Sequence, residues 1–430
     1  MSHSPTSRIA SRLARLSLVA ATAALLLPGA AQAVPSFARQ TGLACEACHT
    51  VFPELTPFGR RFKLNGYTID NLPQVSDQST NKDETLLLNQ LPPLSFMLQA
   101  SVTNTNKTLP DPNVPGANTQ NDQTLFPQQA SLFYAGRIAP NLGAFVQMTY
   151  DGTAGTFGWD NTDIRYARNV NPNFLWGVSV NNNPTVQDVW NTTAAWQAPF
   201  DQRSATAVSP GGIAMIDGGL GGVAGMSVYG YWNDSIYAEL GAYRTASAVA
   251  APLDSTNPDG VASGAAPYWR VAYERQWGVQ SWEVGAYGLN AKMYPAGTAL
   301  AGPTNHYNDV AIDSQYQYIA DEQIFSVMGT YIRESQTLDA SNPGVNPDIK
   351  TARIGGSYYY QRKYGGGLGY FSTTDSTSTV SQNGWTGELD WIPYQNTKLA
   401  LQYTAYNKLN GTTTGASDNN VLYLLGWINF

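Results

Sequence analysis

Between Leu94 and Phe430 the chain alternates apolar and polar residues with a period of two. In segment 94–102 the even positions are apolar and the odd positions are mostly polar. The same alternation recurs at 269–274, 385–391 and 398–405. Successive side chains of a β-strand point to opposite faces, so each segment predicts a strand with one apolar and one polar face. Nearly every charge falls on the polar face, as the wet interior of a membrane β-barrel requires.

The connections between these predicted strands alternate between short and long. Seven tight turns are predicted at 139–141, 171–173, 232–234, 276–278, 320–321, 363–365 and 393–396. Eight longer polar segments rich in Gly, Pro and Asn lie at 104–127, 152–160, 182–222, 245–265, 291–307, 335–349, 375–382 and 409–419. Short periplasmic turns and longer outer loops are typical of bacterial outer-membrane barrels. We therefore predict an all-β fold, a sixteen-stranded antiparallel transmembrane barrel over residues 91–430.

Composition excludes several other classes of protein. Charged residues make up 13% of the 430 residues, about half of the ~25% found in soluble domains. A soluble β-sandwich also alternates, but its outward face would carry more charge. No apolar run beyond the N-terminus reaches the ~18 residues of a membrane helix. The net charge of −7 argues against a nucleic-acid partner. The final strand ends at Phe430, which resembles the signal recognised by barrel-assembly machinery, so this machinery and outer-membrane lipid are predicted partners.

Residues 1–33 have the three parts of a secretory signal peptide. Arg8, Arg12 and Arg15 precede an apolar run from 16 to 27, and Ala31-Gln32-Ala33 follows. A charged start, a short hydrophobic centre and small residues at the end define such signals. The alternative, a membrane anchor, is disfavoured because the apolar run is too short to cross a bilayer. Export through an inner membrane would expose the remaining chain to the periplasm.

The only two cysteines form the motif Cys45-Glu46-Ala47-Cys48-His49. This C-x-x-C-H spacing is typical of covalent c-type haem, in which the two thiols bind the porphyrin and the histidine coordinates the iron. A structural zinc site would need further ligands, and the chain has no other cysteine. A redox disulfide would accompany a βαβ pattern, which is missing. We predict one covalent haem c held by Cys45, Cys48 and His49, with His49 as the iron ligand.

The haem segment is predicted to span 34–90, with a polar linker from residue 70 onward. One helix is predicted from Pro53 to Asn65, because Thr56 and Pro57 suit a helix start and Gly66 suits its end. Phe58, Phe62 and Leu64 are its apolar positions. Its cations, Arg60, Arg61 and Lys63, either pair with haem propionates or form a solvated basic face. So short a chain buries too little surface to enclose a haem, so the barrel is expected to shelter it.

The sixth haem ligand stays open at this point, between Met97, His306 and none. The alternation of the first predicted strand turns the side chain of Met97 toward the lumen. Methionine opposite histidine raises the reduction potential of a haem. A lumen-lining Met97 without a ligand role is the competing interpretation. His306 falls in a predicted outer loop, and the parity of Met148 turns it toward lipid.

The stretch PSFARQTGLACEACHTVFPELTPFGRRFKLNGY, followed by a polar linker and a barrel, resembles the fused outer-membrane monohaem cytochrome c–porins. The best-known members are proposed iron oxidases of Fe(II)-oxidising bacteria. The resemblance is specific over 35–67 and architectural over the barrel. It implies a haem in the periplasmic mouth that passes electrons from an extracellular donor, expected to be Fe(II), to periplasmic c-type cytochromes. Cys45 and Cys48 match the family's haem-attaching cysteines, and His49 matches its proximal ligand.

Two rival functions remain beside this electron conduit. A solute-conducting porin would use the haem plug as a gate or redox sensor. A haem peroxidase would need a distal acid/base, for which His306 is the spare histidine. No acid/base pair or nucleophile stands out, so the only enzyme class predicted is an Fe(II):cytochrome c oxidoreductase. Outer loops hold oxygen-bearing residues that suit iron ions, although surface loops are commonly polar without binding metal. They are Asp111, Asn113, Asp122, Asp254 and Asp259.

Overall fold

The computed structural model describes residues 35–69, 89–108, 122–193, 213–246, 260–295, 298, 300–377 and 379–430. The predicted signal peptide and most of the linker lie outside these residues. Sixteen long strands follow one another along the chain. They are β1 Leu94–Thr105, β2 Asp122–Ala139, β3 Leu142–Asp151, β4 Thr156–Asn171, β5 Phe174–Asn181, β6 Val223–Trp232, β7 Ile236–Thr245, β8 Ala266–Trp277, β9 Gln280–Tyr294, β10 Asn305–Ile319, β11 Gln323–Thr337, β12 Asp348–Tyr360, β13 Tyr364–Asp375, β14 Gln382–Tyr394, β15 Thr397–Lys408 and β16 Val421–Asn429.

These strands close into one antiparallel barrel. Each strand pairs with the next, and β16 pairs with β1 from Val421 opposite Thr105 to Asn429 opposite Met97. A two-residue strand, Val261–Ala262, adds to β9 at its end. Closure leaves no sheet edge unpaired, which a membrane-spanning sheet requires. The predicted all-β fold with sixteen strands is confirmed. Among the described residues, no helix has the length and apolar character to span a bilayer.

The two faces of the barrel differ as the sequence alternation predicts. On β8, Trp269, Val271 and Tyr273 are exposed on the outside, whereas Arg270 and Glu274 are buried in the lumen. Exposed aromatic side chains gather near the short turns, where amphipathic rings suit a lipid interface. They include Trp232, Trp277, Tyr360, Tyr364 and Tyr394. The outer surface thus carries an apolar band and the lumen carries the charge.

Three predicted long loops differ from the structure. Strand β4 begins at Thr156 and β2 at Asp122, so much of 152–160 and the end of 104–127 are paired strand. The polar composition of these positions predicted loops, but their backbones form β-ladder hydrogen bonds with neighbouring strands. The described parts of 182–222 also fold into the lumen, since Val189 and Trp190 are fully buried. We call residues 182–193 the lumen segment.

A plug formed by residues 35–68 occupies the short-turn end of the barrel. It contains α1 Pro35–Thr41, α2 Cys45–Cys48 and α3 Pro57–Leu64, with a small ladder between His49–Val51 and Glu54–Leu55. The predicted helix start at Pro53 is wrong. The side chain of Thr56 caps α3 by accepting the Gly59 amide, and this places the helix start at Pro57. Phe58, expected on the packed face, is exposed.

Contacts with the turn regions fix this placement. The Cys45 amide donates to Gln395 Oε1 at 3.2 Å, in the turn between β14 and β15. Glu46 pairs with Arg362 at 3.4 Å, in the turn between β12 and β13. Arg61 pairs with Asp234 in the turn between β6 and β7. All three partners belong to short turns, so the plug sits at the opposite end from the long loops.

Candidate functional site

The C-x-x-C-H motif lines a cavity of about 450 Å³ between the plug and the barrel wall. This volume lies in the ~300–1,000 Å³ range of small-molecule and cofactor sites. Cys45, Cys48 and His49 share the cavity with Met97 of β1. The sequence-predicted site residues are therefore together in one place.

Aromatic rings from both parts of the protein form much of the cavity wall. His49 lies 5.0 Å from Phe52 between ring centroids, and Phe52 lies 6.2 Å from Trp427 of β16. A second group of aromatic rings packs within the plug and against strands β2 and β3. It consists of Phe37, Phe62, Tyr67, Phe133 and Phe145. Apolar walls of this kind shield a bound cofactor from water, which the short plug alone lacks the surface to do.

Helix α3 holds the motif in place. Thr56 donates through its hydroxyl to the Ala47 carbonyl at 2.6 Å, and its amide donates to the Cys48 carbonyl at 2.9 Å. Gly59 lies so close that an added Cβ would come within 2.2 Å of the Cys48 carbonyl oxygen. The absence of a side chain at residue 59 is what allows α3 to pack on the C-x-x-C-H motif.

We expect Gly59→Ala to displace the motif. Forcing a methyl group against backbone costs ~1–3 kcal/mol, so amide hydrogen exchange over 45–49 should accelerate and the yield of covalent haem should fall. Gly158→Ala is the matched control, because a Cβ there meets nothing within 4 Å. Unchanged exchange and haem yield in Gly59→Ala would contradict this packing role.

Burial of the motif shifts the pKa of two of its side chains. Desolvation lowers the pKa of His49 to about 4, so its ring is neutral and able to ligate iron. Desolvation, and then the neighbouring Cys45, raise the pKa of Cys48 to about 11. Neither cysteine takes part in a disulfide. Two thiols three residues apart, a neutral imidazole, a thioether and aromatic walls together fit a c-type haem.

Two of the three cations of α3, Arg60 and Lys63, are buried and bind different partners. Arg60 is buried and donates to Glu274 Oε1 of β8 at 2.6 Å. Lys63 lines the cavity and donates to the carbonyls of Val186 and Asp188 at 2.6 and 2.8 Å, and burial lowers its pKa to about 8. Of the two alternatives for these cations, the solvated basic face is therefore wrong for Arg60 and Lys63. Arg60 is also engaged with the barrel wall and does not line the cavity.

The candidate distal residues lie in different environments. Met97 is 4% exposed and faces the lumen, and Met148 faces outward, as their parity predicts. His306 belongs to the start of β10, where its ring is exposed. The predicted loop position of His306 is wrong, because its backbone pairs with Lys292 and Thr337. It does not line the cavity at the plug.

No dedicated metal cluster is evident in the part of the chain that the structure describes, where no group of three or more His, Cys, Asp or Glu residues is arranged to hold a metal ion. Of the proposed iron-attracting loop residues, Asp122 is the exposed first residue of β2. Asp111, Asn113, Asp254 and Asp259 lie outside the described residues.

Several residues of the site escaped sequence reasoning. Gln99 lines the cavity beside Met97, and the lumen segment contributes Asn183, Val186 and Asn191. The sequence of β16 contained one indication of the apolar cavity wall. Its inward positions are Val421, Tyr423, Leu425 and Trp427, four successive lumen-facing positions that are all apolar. Apolar residues on both faces of a barrel strand indicate that protein or a cofactor packs inside.

Comparison with known proteins shows the fold. No protein-family model and no curated protein matches the chain. OmpF of Salmonella typhi, solved in complex with daunomycin, has a TM-score of 0.51 and 13% identity, over 78% of this chain and 97% of that one. The anion-selective porin of Comamonas acidovorans has a TM-score of 0.49 and 14% identity, over 78% and 98% of the two chains. The channel DcaP of Acinetobacter baumannii has a TM-score of 0.48 and 11% identity, over 78% and 96%.

The chain therefore has the barrel fold of outer-membrane porins. Sequence identity this low is evidence for a shared fold alone. The resemblance to fused cytochrome–porins, the signal peptide and the haem remain predictions from the sequence.

Proposed function

We propose that this protein is a porin-type outer-membrane barrel whose plug carries one covalent c-type haem. The observation that supports the proposal is the shared cavity, in which the C-x-x-C-H motif faces aromatic residues of the barrel wall and Met97. A c-type haem bound there supplies a one-electron redox centre. Cys45 and Cys48 would attach it and His49 would ligate its iron.

The remaining residues of the site exclude water and hold the plug. Phe52 and Trp427 bring apolar surface to the His49 side of the cavity. Lys63 ties the plug to the lumen segment, and Arg60 ties it to β8. This interlocking keeps the motif at the short-turn end, the end that faces the periplasm in bacterial outer-membrane barrels.

The first candidate activity is solute passage, with the haem plug as a gate or redox sensor. The porin-type fold favours this function over the electron conduit. The plug and the lumen segment both occupy the lumen, since the Leu55 amide donates a hydrogen bond to Asn191 Oδ1 at 3.0 Å and Trp190 is fully buried. Solute passage would therefore be controlled by these two segments.

The second candidate activity is electron transfer from an extracellular donor, expected to be Fe(II), to periplasmic c-type cytochromes. The cavity favours it, because the motif lies at the short-turn mouth, within reach of a periplasmic partner. Glu46 at this mouth has a side chain that is 45% exposed beside Arg362. Such exposed charges at the rim suit the weak docking of a redox partner.

One liposome experiment separates the two activities. Vesicles carrying the haem-loaded protein are filled either with a sugar or with oxidised cytochrome c, and Fe(II) is added outside. A gated porin releases sugar at a rate that changes when the haem is reduced. An electron conduit reduces the enclosed cytochrome c without sugar release, and Cys48→Ser abolishes this reduction. Purified protein without covalent pigment would overturn the haem proposal and leave the barrel fold.

A further inference from the structure

We infer that Met97 supplies the sixth ligand of the haem iron, so that the barrel wall completes a coordination begun by the plug. The inference rests on the proposed haem site. Met97 lies on β1, outside the haem-attachment segment, and it lines the same cavity as His49. Histidine from the plug and methionine from the barrel wall would then hold one iron between them.

Several other side chains of the cavity that bear donor atoms are already engaged. The Asp160 carboxylate accepts hydrogen bonds from Thr149 and Asn161. Lys63 donates to two backbone carbonyls through its ammonium group. Tyr67 donates through its hydroxyl to Asp163 Oδ2 at 2.6 Å. Cys45 and Cys48 belong to the attachment motif, and the exposed ring of His306 is at the other end of the barrel. The thioether of Met97, which accepts only the long 3.8 Å contact from Gln99 among the described residues, is a soft donor suited to haem iron.

The position of Met97 is set by the barrel. Its backbone pairs with Asn429 of β16 and Ser131 of β2. Its side chain packs in one buried cluster with Phe133 and Trp427. Gln99 Nε2 donates to Met97 Sδ at 3.8 Å. A thioether held by a strand, by aromatic neighbours and by an amide is preorganised, so ligation costs little side-chain entropy.

The consequence is a haem with a high potential and a plug that is anchored by its cofactor. Methionine opposite histidine raises the potential relative to two histidines. Because the two ligands come from the plug and the wall, haem loading would also fasten the plug within the barrel.

The test uses the full haem-loaded protein and its Met97→Leu and Met97→His variants. Met97→Leu conserves volume and typically costs less than ~1.5 kcal/mol, so the barrel should fold and attach haem. We expect the ferric wild type to show the charge-transfer band of methionine-ligated haem. Met97→Leu should lose this band and turn high-spin. Met97→His should stay low-spin, with a lower midpoint potential in redox titration.

Met148→Leu is the matched control, since Met148 is a barrel methionine that faces outward, and its spectrum should equal that of the wild type. A wild-type spectrum without the methionine band, or a Met97→Leu spectrum identical to that of the wild type, would overturn the inference while covalent haem still supports the proposed function. Absence of covalent haem in every variant would instead remove the proposed function itself.

Discussion

Replacing Cys45 and Cys48 together by serine is expected to abolish covalent haem while the barrel still folds. The thiols are the atoms that would form the thioether bonds, whereas the barrel is closed by strand pairing that the motif does not enter. Haem-dependent peroxidase staining of a denaturing gel should disappear. Circular dichroism of the folded protein should keep its β-sheet signal.

Glu46→Ala is the control within the same motif. Its carboxylate pairs with Arg362, and the Glu46 and Arg362 side chains are 45% and 23% exposed. Ion pairs this accessible to solvent contribute ~0–1 kcal/mol, so the pigment should be retained. Pigment that survives denaturation in the double serine variant would disprove thioether attachment. Loss of the β-sheet signal would show that barrel and plug do not fold separately.

Replacing Arg60 by methionine is expected to release the plug. Arg60 and Glu274 are each 2% exposed, and their ion pair is 2.6 Å long. Removing one partner leaves a buried uncompensated charge, at a cost of ~3–5 kcal/mol. The guanidinium group also donates to Gln315 and Gln317 of β10, at 3.0 and 2.8 Å. Hydrogen exchange over α3 should therefore accelerate strongly.

Arg61→Met provides the comparison one residue away. Arg61 pairs with Asp234, but the two side chains are 33% and 61% exposed. Exposed pairs contribute ~0–1 kcal/mol, so exchange over α3 should barely change. Adding Glu274→Gln to Arg60→Met should recover part of the protection by removing the orphaned charge. Equal exchange in the Arg60 and Arg61 variants would show that the buried pair does not hold the plug.

Much of the barrel could be predicted from local sequence. The period of two assigns each side chain to lipid or lumen, which is why the outward Met148 and the inward Met97 were both correct. Turn residues at the short connections, such as Asn141 and Asn233 with positive φ, mark where strands reverse. Strand lengths were harder, because β2 and β4 continue through polar residues whose pairing depends on neighbouring strands.

The sequence by itself determined the number of strands and their two faces, and it predicts the chemistry of the C-x-x-C-H motif, because these depend on alternation and spacing along the chain. Only the tertiary structure decided what surrounds the motif. Met97 and Trp427 are far from Cys48 in sequence. They line the same cavity as Cys48 because β16 closes on β1. It also decided that Arg60 is buried in the lumen, since its partner Glu274 is 214 residues away. Local sequence patterns carry no information about such pairs, because the two residues come together only when the barrel closes.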